Sequence, residues 1–272
     1  MDILYLWACY ALLGLFAGVV AGLLGVGGGL IIVPILAALF AVQGFAEQHL
    51  MQLAVGTSLA TIVFTSLSSM RSHHRRGAVL WPLMRQLSVG ILLGGWLGGF
   101  VAVWLGGLLL AGLFGLFELA VAAQMAFGRP PAPHRRSPGR TRNLLAGALI
   151  GAVSALLGIG GGTLTVPYLV WHNVDVRQAV GTSAACGLPI ALVGALGFAV
   201  VGWGRTELPP GSSGYIYWPA VIAISLTSVL GAPLGAWLAH RLERQRLKAT
   251  FAGFLALLGL MMIGRSLLGF AG

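Results

Sequence analysis

The chain has 272 residues, 58% of them apolar and 8% charged, with a mean hydropathy of +0.93. A soluble domain carries about 25% charged residues, so this balance excludes an ordinary soluble fold and marks an integral membrane protein. The net charge of +10 is not a nucleic-acid footprint, because the arginines gather in short loops, as orientation signals do.

The first apolar segment runs from Ile3 to Leu24 and lacks a basic start or an obvious cleavage site, which predicts a retained helix rather than a signal peptide. It ends at Gly25-Val26-Gly27-Gly28-Gly29, and a short apolar piece, Gly29 to Val42, follows with Pro34 near its start. A polar loop leads to a predicted helix over Met51 to Met70, opening with Ala54-Val55-Gly56-Thr57-Ser58. After the basic loop Arg71 to Arg76 come helices over Val79 to Trp104 and Leu108 to Phe127. Arg129 to Arg142, rich in Arg and Pro, reads as a linker.

Beyond it the pattern repeats. Leu144 to Leu157 leads into Gly158-Ile159-Gly160-Gly161-Gly162, 133 residues after the first cluster (158 minus 25), and Pro167 matches Pro34. Ala179-Val180-Gly181-Thr182-Ser183 repeats residues 54–58, and Trp218-Pro219 repeats Trp81-Pro82 at an offset of 137 (218 minus 81). A basic loop, His240 to Lys248, precedes a last helix over Thr250 to Phe270. Internal duplication is the strongest signal in the sequence. It divides the chain into a first transmembrane repeat (1–128), a basic cytoplasmic linker (129–142) and a second repeat (143–272).

Charge then fixes the expected topology. If the short pieces after the glycines also return through the bilayer, each half has five segments, both termini lie outside, and all three basic loops lie inside. On that count fourteen of the 16 basic residues are cytoplasmic, and only Arg205 and Arg265 lie toward the outside. An odd number of segments per repeat forces the halves to be inverted. The pieces hold about 10–14 residues, short for a ~30 Å core, so re-entrant half-helices satisfy the same parity. The expected fold is therefore an all-α polytopic membrane protein of two inverted-topology repeats, with broken or re-entrant helices after each Gly-x-Gly-Gly-Gly motif.

Broken helices at matching places in two halves point to a transport site. Each cluster (Gly25, Gly27, Gly28, Gly29; Gly158, Gly160, Gly161, Gly162) frees backbone N–H groups at a helix start, where the dipole favours anions, or else it permits tight packing. Thr57, Ser58, Thr182 and Ser183 bring hydroxyls that donate to an anion or, alternatively, cap and back-bond. Glu118 is the sole acid deep in an apolar segment and is a candidate for proton coupling, although nothing matches it across the repeat. His49 and His172 read as interfacial, and Arg85 as snorkelling to the cytoplasmic surface. No Lys-Ser/Thr follows either cluster as in a phosphate-binding loop, and no catalytic or metal-ligand constellation is visible. Cys9 and Cys186 support neither a disulfide framework nor a metal site. These features argue against an enzyme, a cofactor or a metal.

The paired Gly-x-Gly-Gly-Gly…Val-Pro motifs (25–34 and 158–167), with the paired Val-Gly-Thr-Ser (55–58 and 180–183), resemble the sulfite exporter TauE/SafE family of membrane permeases. The resemblance covers nearly the whole chain. It implies a permease of the bacterial or archaeal inner membrane, carrying small and chiefly sulfur-containing anions such as sulfite or organosulfonates. It also implies that the motif glycines, Thr57, Ser58, Thr182 and Ser183 line the substrate site, with Pro34 and Pro167 structural. The expected partners are the small anion and the lipid bilayer, and a homo-oligomer is compatible with the sequence. The rival readings are an anion channel of the same architecture and a non-transporting membrane partner protein.

Overall fold

The computed structural model describes residues 3–24, 28–128, 139–239 and 244–271. Gly25 and Gly27 of the first cluster, and most of the expected linker, lie outside the described residues. The described residues form ten helices: α1 (Ile3–Leu24), α2 (Gly29–Val42), α3 (Glu47–Arg75), α4 (Trp81–Trp104), α5 (Gly107–Phe127), α6 (Arg140–Leu157), α7 (Gly162–Trp171), α8 (Val176–Val201), α9 (Trp218–Ala239) and α10 (Arg244–Ala271). A two-residue hairpin, β1 (Ser212–Ser213) with β2 (Ile216–Tyr217), precedes α9. Six helices are long and apolar enough to cross a membrane. The outward faces of α4 and α9 carry exposed Leu92, Leu93, Trp96, Leu97, Leu226 and Leu230, a surface that only lipid covers favourably.

Three helices run past their expected bounds into basic stretches. Arg is a good helix former, so the turn of α3 that holds Arg71 and Arg75 is not a loop. The helix stops only before Gly77, whose φ of +66° ends it. Likewise α6 begins at Arg140 and α10 at Arg244. With 29 residues, α3 is about 44 Å long and overruns a ~30 Å hydrocarbon core. Thr57 and Ser58 consequently stand well inside α3, and Thr182 and Ser183 inside α8, rather than at helix openings. Pro34 and Pro167 are the sixth residues of α2 and α7, one turn deeper than a first-turn proline. Each therefore removes one helical hydrogen bond.

Packing is dominated by three close pairs, α4 with α6, α1 with α9, and α5 with α10; a fourth joins α3 to α8. The first helix of each half thus lies against the fourth helix of the other. The glycines explain how near these pairs come. A Cβ on Gly14 would stand 2.7 Å from the Ile224 Cα, and one on Gly18 2.7 Å from the Ser228 Cα. At the repeat offsets of 133 and 137, Gly147 and Gly151 are the counterparts of Gly14 and Gly18, and Leu87 and Ile91 those of Ile224 and Ser228. Gly147 indeed abuts Leu87, and Gly151 meets the Ile91 Cα at 2.8 Å from such a Cβ. The same backbone-on-backbone seam is built twice, residue for residue, as small residues allow in lipid.

Candidate functional site

The start of α2 meets the second glycine-rich break. After α6, Gly158 takes the left-handed conformation (φ +70°, ψ 26°), and α7 starts at Gly162. On the other side, α2 starts at Gly29, and a Cβ there would lie 2.6 Å from the Gly158 carbonyl oxygen and 2.7 Å from the Ile159 Cα. The Ser58 hydroxyl donates to that same Gly158 carbonyl at 2.9 Å. The structure therefore brings Gly29, Ser58 and Gly158 together, from both halves. Gly158 is the only motif glycine among the described residues with positive φ; Gly28 (φ −76°) and Gly161 (φ −59°) have ordinary helical backbone.

The Val-Gly-Thr-Ser motifs have a visible structural use. Thr57 Oγ1 accepts the Tyr217 N–H at 3.0 Å, and Thr182 Oγ1 accepts the Leu80 N–H, also at 3.0 Å. Leu80 and Tyr217 are counterparts, each entering the fourth helix of the opposite half. Beside them, a Cβ on Gly181 would stand 2.5 Å from the Ala78 carbonyl oxygen, and Gly56 abuts the counterpart carbonyl of Tyr215. The glycine lets the partner segment approach and the threonine holds its N–H. Each threonine has thus committed a lone pair to backbone.

Several unpaired donors lie at or near the second break. Thr165 is the first residue of α7 whose N–H finds a backbone acceptor, the Gly161 carbonyl at 2.8 Å. The N–H groups of Gly162, Thr163 and Leu164 have no acceptor among the described residues. Such orphan donors at a helix start form an anion site. Four buried hydroxyls, those of Ser154, Thr163, Thr165 and Ser183, also lack any partner. Ser154 lies one turn before Gly158 on α6, Thr163 and Thr165 lie in the first turn of α7, and Ser183 lies one turn before Gly187. The Gly187 N–H is 3.8 Å from a Cβ built on Gly161. Gly160 is buried in the same break. Ser154, Thr163 and Thr165 were not singled out by motif reasoning. Comparing the copies exposes them, because their counterparts are Ala21, Leu30 and Ile32.

Glu118 is apart from this centre. It is fully buried on α5, its Cβ 3.2 Å from a Cβ built on Gly259 of α10, and neither carboxylate oxygen has a partner. An isolated buried carboxylate anion is strongly disfavoured. His49 stands in the first turn of α3 and His172 at the end of α7, and both are buried within the protein. The His172 Nδ1 contacts the Tyr168 carbonyl at 2.7 Å. His49 Nε2 contacts Glu207 Oε2 at 2.7 Å, and Nδ1 lies 3.3 Å from the Tyr215 hydroxyl. Burial pushes the Tyr215 phenol above its ordinary pKa. The contact with Glu207 ties the loop before β1 to the start of α3. Arg85 is exposed, as snorkelling requires. Among the described residues no group of three metal-binding side chains occurs.

The model of the family described as sulfite exporter TauE/SafE matches residues 10–262. The chain belongs to that family. A probable membrane transporter protein of Haemophilus influenzae is 37% identical over 252 residues, covering 92% of this chain and 96% of its own. One from Methanocaldococcus jannaschii is 26% identical over 270 residues, covering 96% and 97%. Another, from Bacillus subtilis, is 26% identical over 271 residues, covering 92% and 95%. No solved structure matches the chain. The TauE/SafE permease described here is thus a multi-pass membrane transporter protein, in keeping with its six long apolar helices.

Gly158→Ala should lower the thermal midpoint of the purified protein, because a left-handed non-glycine residue costs about 1–2 kcal/mol. Its methyl would also press on Val33 and Val55, each 3.0 Å away. Gly28→Ala, at negative φ, should stay within about 0.5 kcal/mol of the parent. Tryptophan-fluorescence melting of the two variants checks the contrast.

Proposed function

We propose that this TauE/SafE permease is a secondary transporter of the bacterial or archaeal inner membrane. It exports a small, sulfur-containing oxyanion such as sulfite or an organosulfonate by alternating access. One observation carries the reading. The opening of α7 holds three unpaired N–H donors and, in its first turn, the unpartnered buried hydroxyls of Thr163 and Thr165, and no acidic residue occurs from Asn143 to Val174. Hydroxyls and amides without a fixed cation suit a small anion held by hydrogen bonds that it can leave. Donors come mainly from the second half, and the first half contributes through Gly29 and Ser58, which fix the Gly158 carbonyl. Sulfite titration by calorimetry tests the site. Thr163→Val and Thr165→Val each remove one hydroxyl and should weaken binding by about fivefold to tenfold. Parent-like affinity in both variants would place the anion elsewhere. Sulfite flux in proteoliposomes should saturate; flux linear in sulfite concentration would favour a channel.

The two halves are inverted repeats in this reading, supported by five helices per half and by the reciprocal α1–α9 and α6–α4 seams. Inversion sets the end of α3 and the loop after α8 on opposite sides of the membrane, with both termini outside. In a background lacking Cys9 and Cys186, Ser72→Cys and Arg140→Cys should react with impermeant maleimide only from the cytoplasmic face. Thr206→Cys should react only from the other face. Labelling of all three from one side rejects the inversion.

Glu118 acts in proton coupling rather than in holding the anion, since it is buried and unpaired on α5, beside Gly259 of α10. Glu118→Gln keeps the shape and removes the titrating group, so sulfite affinity should persist while the pH dependence of uptake into proteoliposomes flattens. An unaltered pH profile assigns Glu118 to packing.

A further inference from the structure

Between the cytoplasmic part of α3 and α9 lies a cleft of about 680 Å³, lined by Phe64, Leu67, Ser68, Arg71, Ser72, Arg75, Arg76 and Val229. All but Val229 and Arg76 fall at i, i+3, i+4, i+7, i+8 and i+11 along one face of α3, with Arg76 capping its end. The stripe passes from apolar (Phe64, Leu67) through hydroxyls (Ser68, Ser72) to guanidiniums. A retention signal for the cytoplasmic side needs arginines near a helix end but has no need of a shared concavity. Here three of them line one, and Arg71 and Arg75, at i and i+4, repel each other. None has a carboxylate partner among the described residues, whose salt bridges are His49–Glu207 and Arg265–Glu47.

In the other half the Val193 side chain closes on α4, 2.6 Å from a Cβ built on Gly95. The repeat counterpart of Val193 is Ser68 (193 minus 125), which faces the cleft instead. At this level the described residues close the α4–α8 contact and leave the α3–α9 contact open.

We propose that Arg71, Arg75 and Arg76, with Ser68 and Ser72, form a second oxyanion-binding site at the mouth of this cleft. Its ligand is a sulfonate, sulfite, sulfate or phosphate group whose oxygens take guanidinium and hydroxyl donors together. The site rests on the transport reading for its purpose, which is to concentrate the anion at the open side before it moves inward. Its existence rests on the cleft alone. A free anion and the phosphate of an anionic lipid share this chemistry, and the apolar floor of Phe64, Leu67 and Val229 would accept the start of an acyl chain.

The test uses the full-length protein in neutral detergent, titrated with sodium sulfate at constant ionic strength against chloride, with thermal midpoint as the readout. The measurement is made in the Thr163→Val/Thr165→Val background, so that loss of the central site leaves this signal intact. Sulfate should raise the midpoint saturably. Combined Arg71→Gln, Arg75→Gln and Arg76→Gln should weaken that response by about tenfold or more, while Arg140→Gln leaves it unchanged. A parallel arm compares nanodiscs of phosphatidylcholine with and without phosphatidylglycerol. If phosphatidylglycerol stabilises the parent but not the arginine variant and sulfate does neither, the ligand is a lipid headgroup. An equal response of parent and arginine variant to both probes overturns the proposal, as does an Arg140→Gln loss matching that of the cleft variant.

Discussion

The centre of the molecule depends on two strands of backbone touching where no side chain intervenes. Gly29 opens one short helix directly against the Gly158 carbonyl at the end of another segment, and Ser58 fixes that carbonyl with a hydrogen bond. In a soluble protein such exposed peptide groups would be solvated. In a bilayer they must be satisfied by the protein itself or line a polar cavity. The contact therefore decides which polar groups are used up and which stay available. The Gly158 carbonyl is consumed; the first N–H groups of α7 are not. That asymmetry leaves the donors at the opening of α7 without a backbone partner.

Around the centre, the fold secures each half with parts of the other. Thr57 holds the entry to α9 and Thr182 the entry to α4, while Gly56 and Gly181 make room for the segments being held. A Thr hydroxyl that accepts one backbone N–H contributes about 1 kcal/mol net, but leaving that N–H buried and unpaired costs up to about 3 kcal/mol. The motif is thus worth more as a clamp than its composition suggests. It also positions α4 and α9, on whose packing against α8 and α3 the closed and open contacts depend.

Much of this was legible in the sequence, for identifiable reasons. Long uncharged runs gave helices such as Gly29–Val42 to the residue, because glycines and a polar loop bound it sharply. The duplication was equally plain, since motif spacing survives where side-chain identity does not. Boundaries failed where arginines continued a helix, as at Arg75 and Arg140, because basic residues signal loops in topology yet favour helix locally. The roles of Thr57 and Thr182 were hidden for a different reason. A sequence shows that a hydroxyl exists but not which distant N–H has claimed it. Thr163 and Thr165 were hidden inside a motif read for its glycines.

The pairing of first helices with fourth helices has a consequence for how the chain is made. The seam of α1 needs Ile224 and Ser228, residues synthesised more than two hundred positions after Gly14 and Gly18. At roughly 5–20 residues per second, α1 waits on the order of 10–40 s in the membrane with its glycine face uncovered. By contrast, α6 meets α4 almost as soon as it emerges, since Gly147 pairs with Leu87 only sixty residues earlier. Two seams of identical design therefore close at very different times. During translation the α4–α6 seam forms first and joins the halves, and the earliest helix of the chain is among the last to find its place.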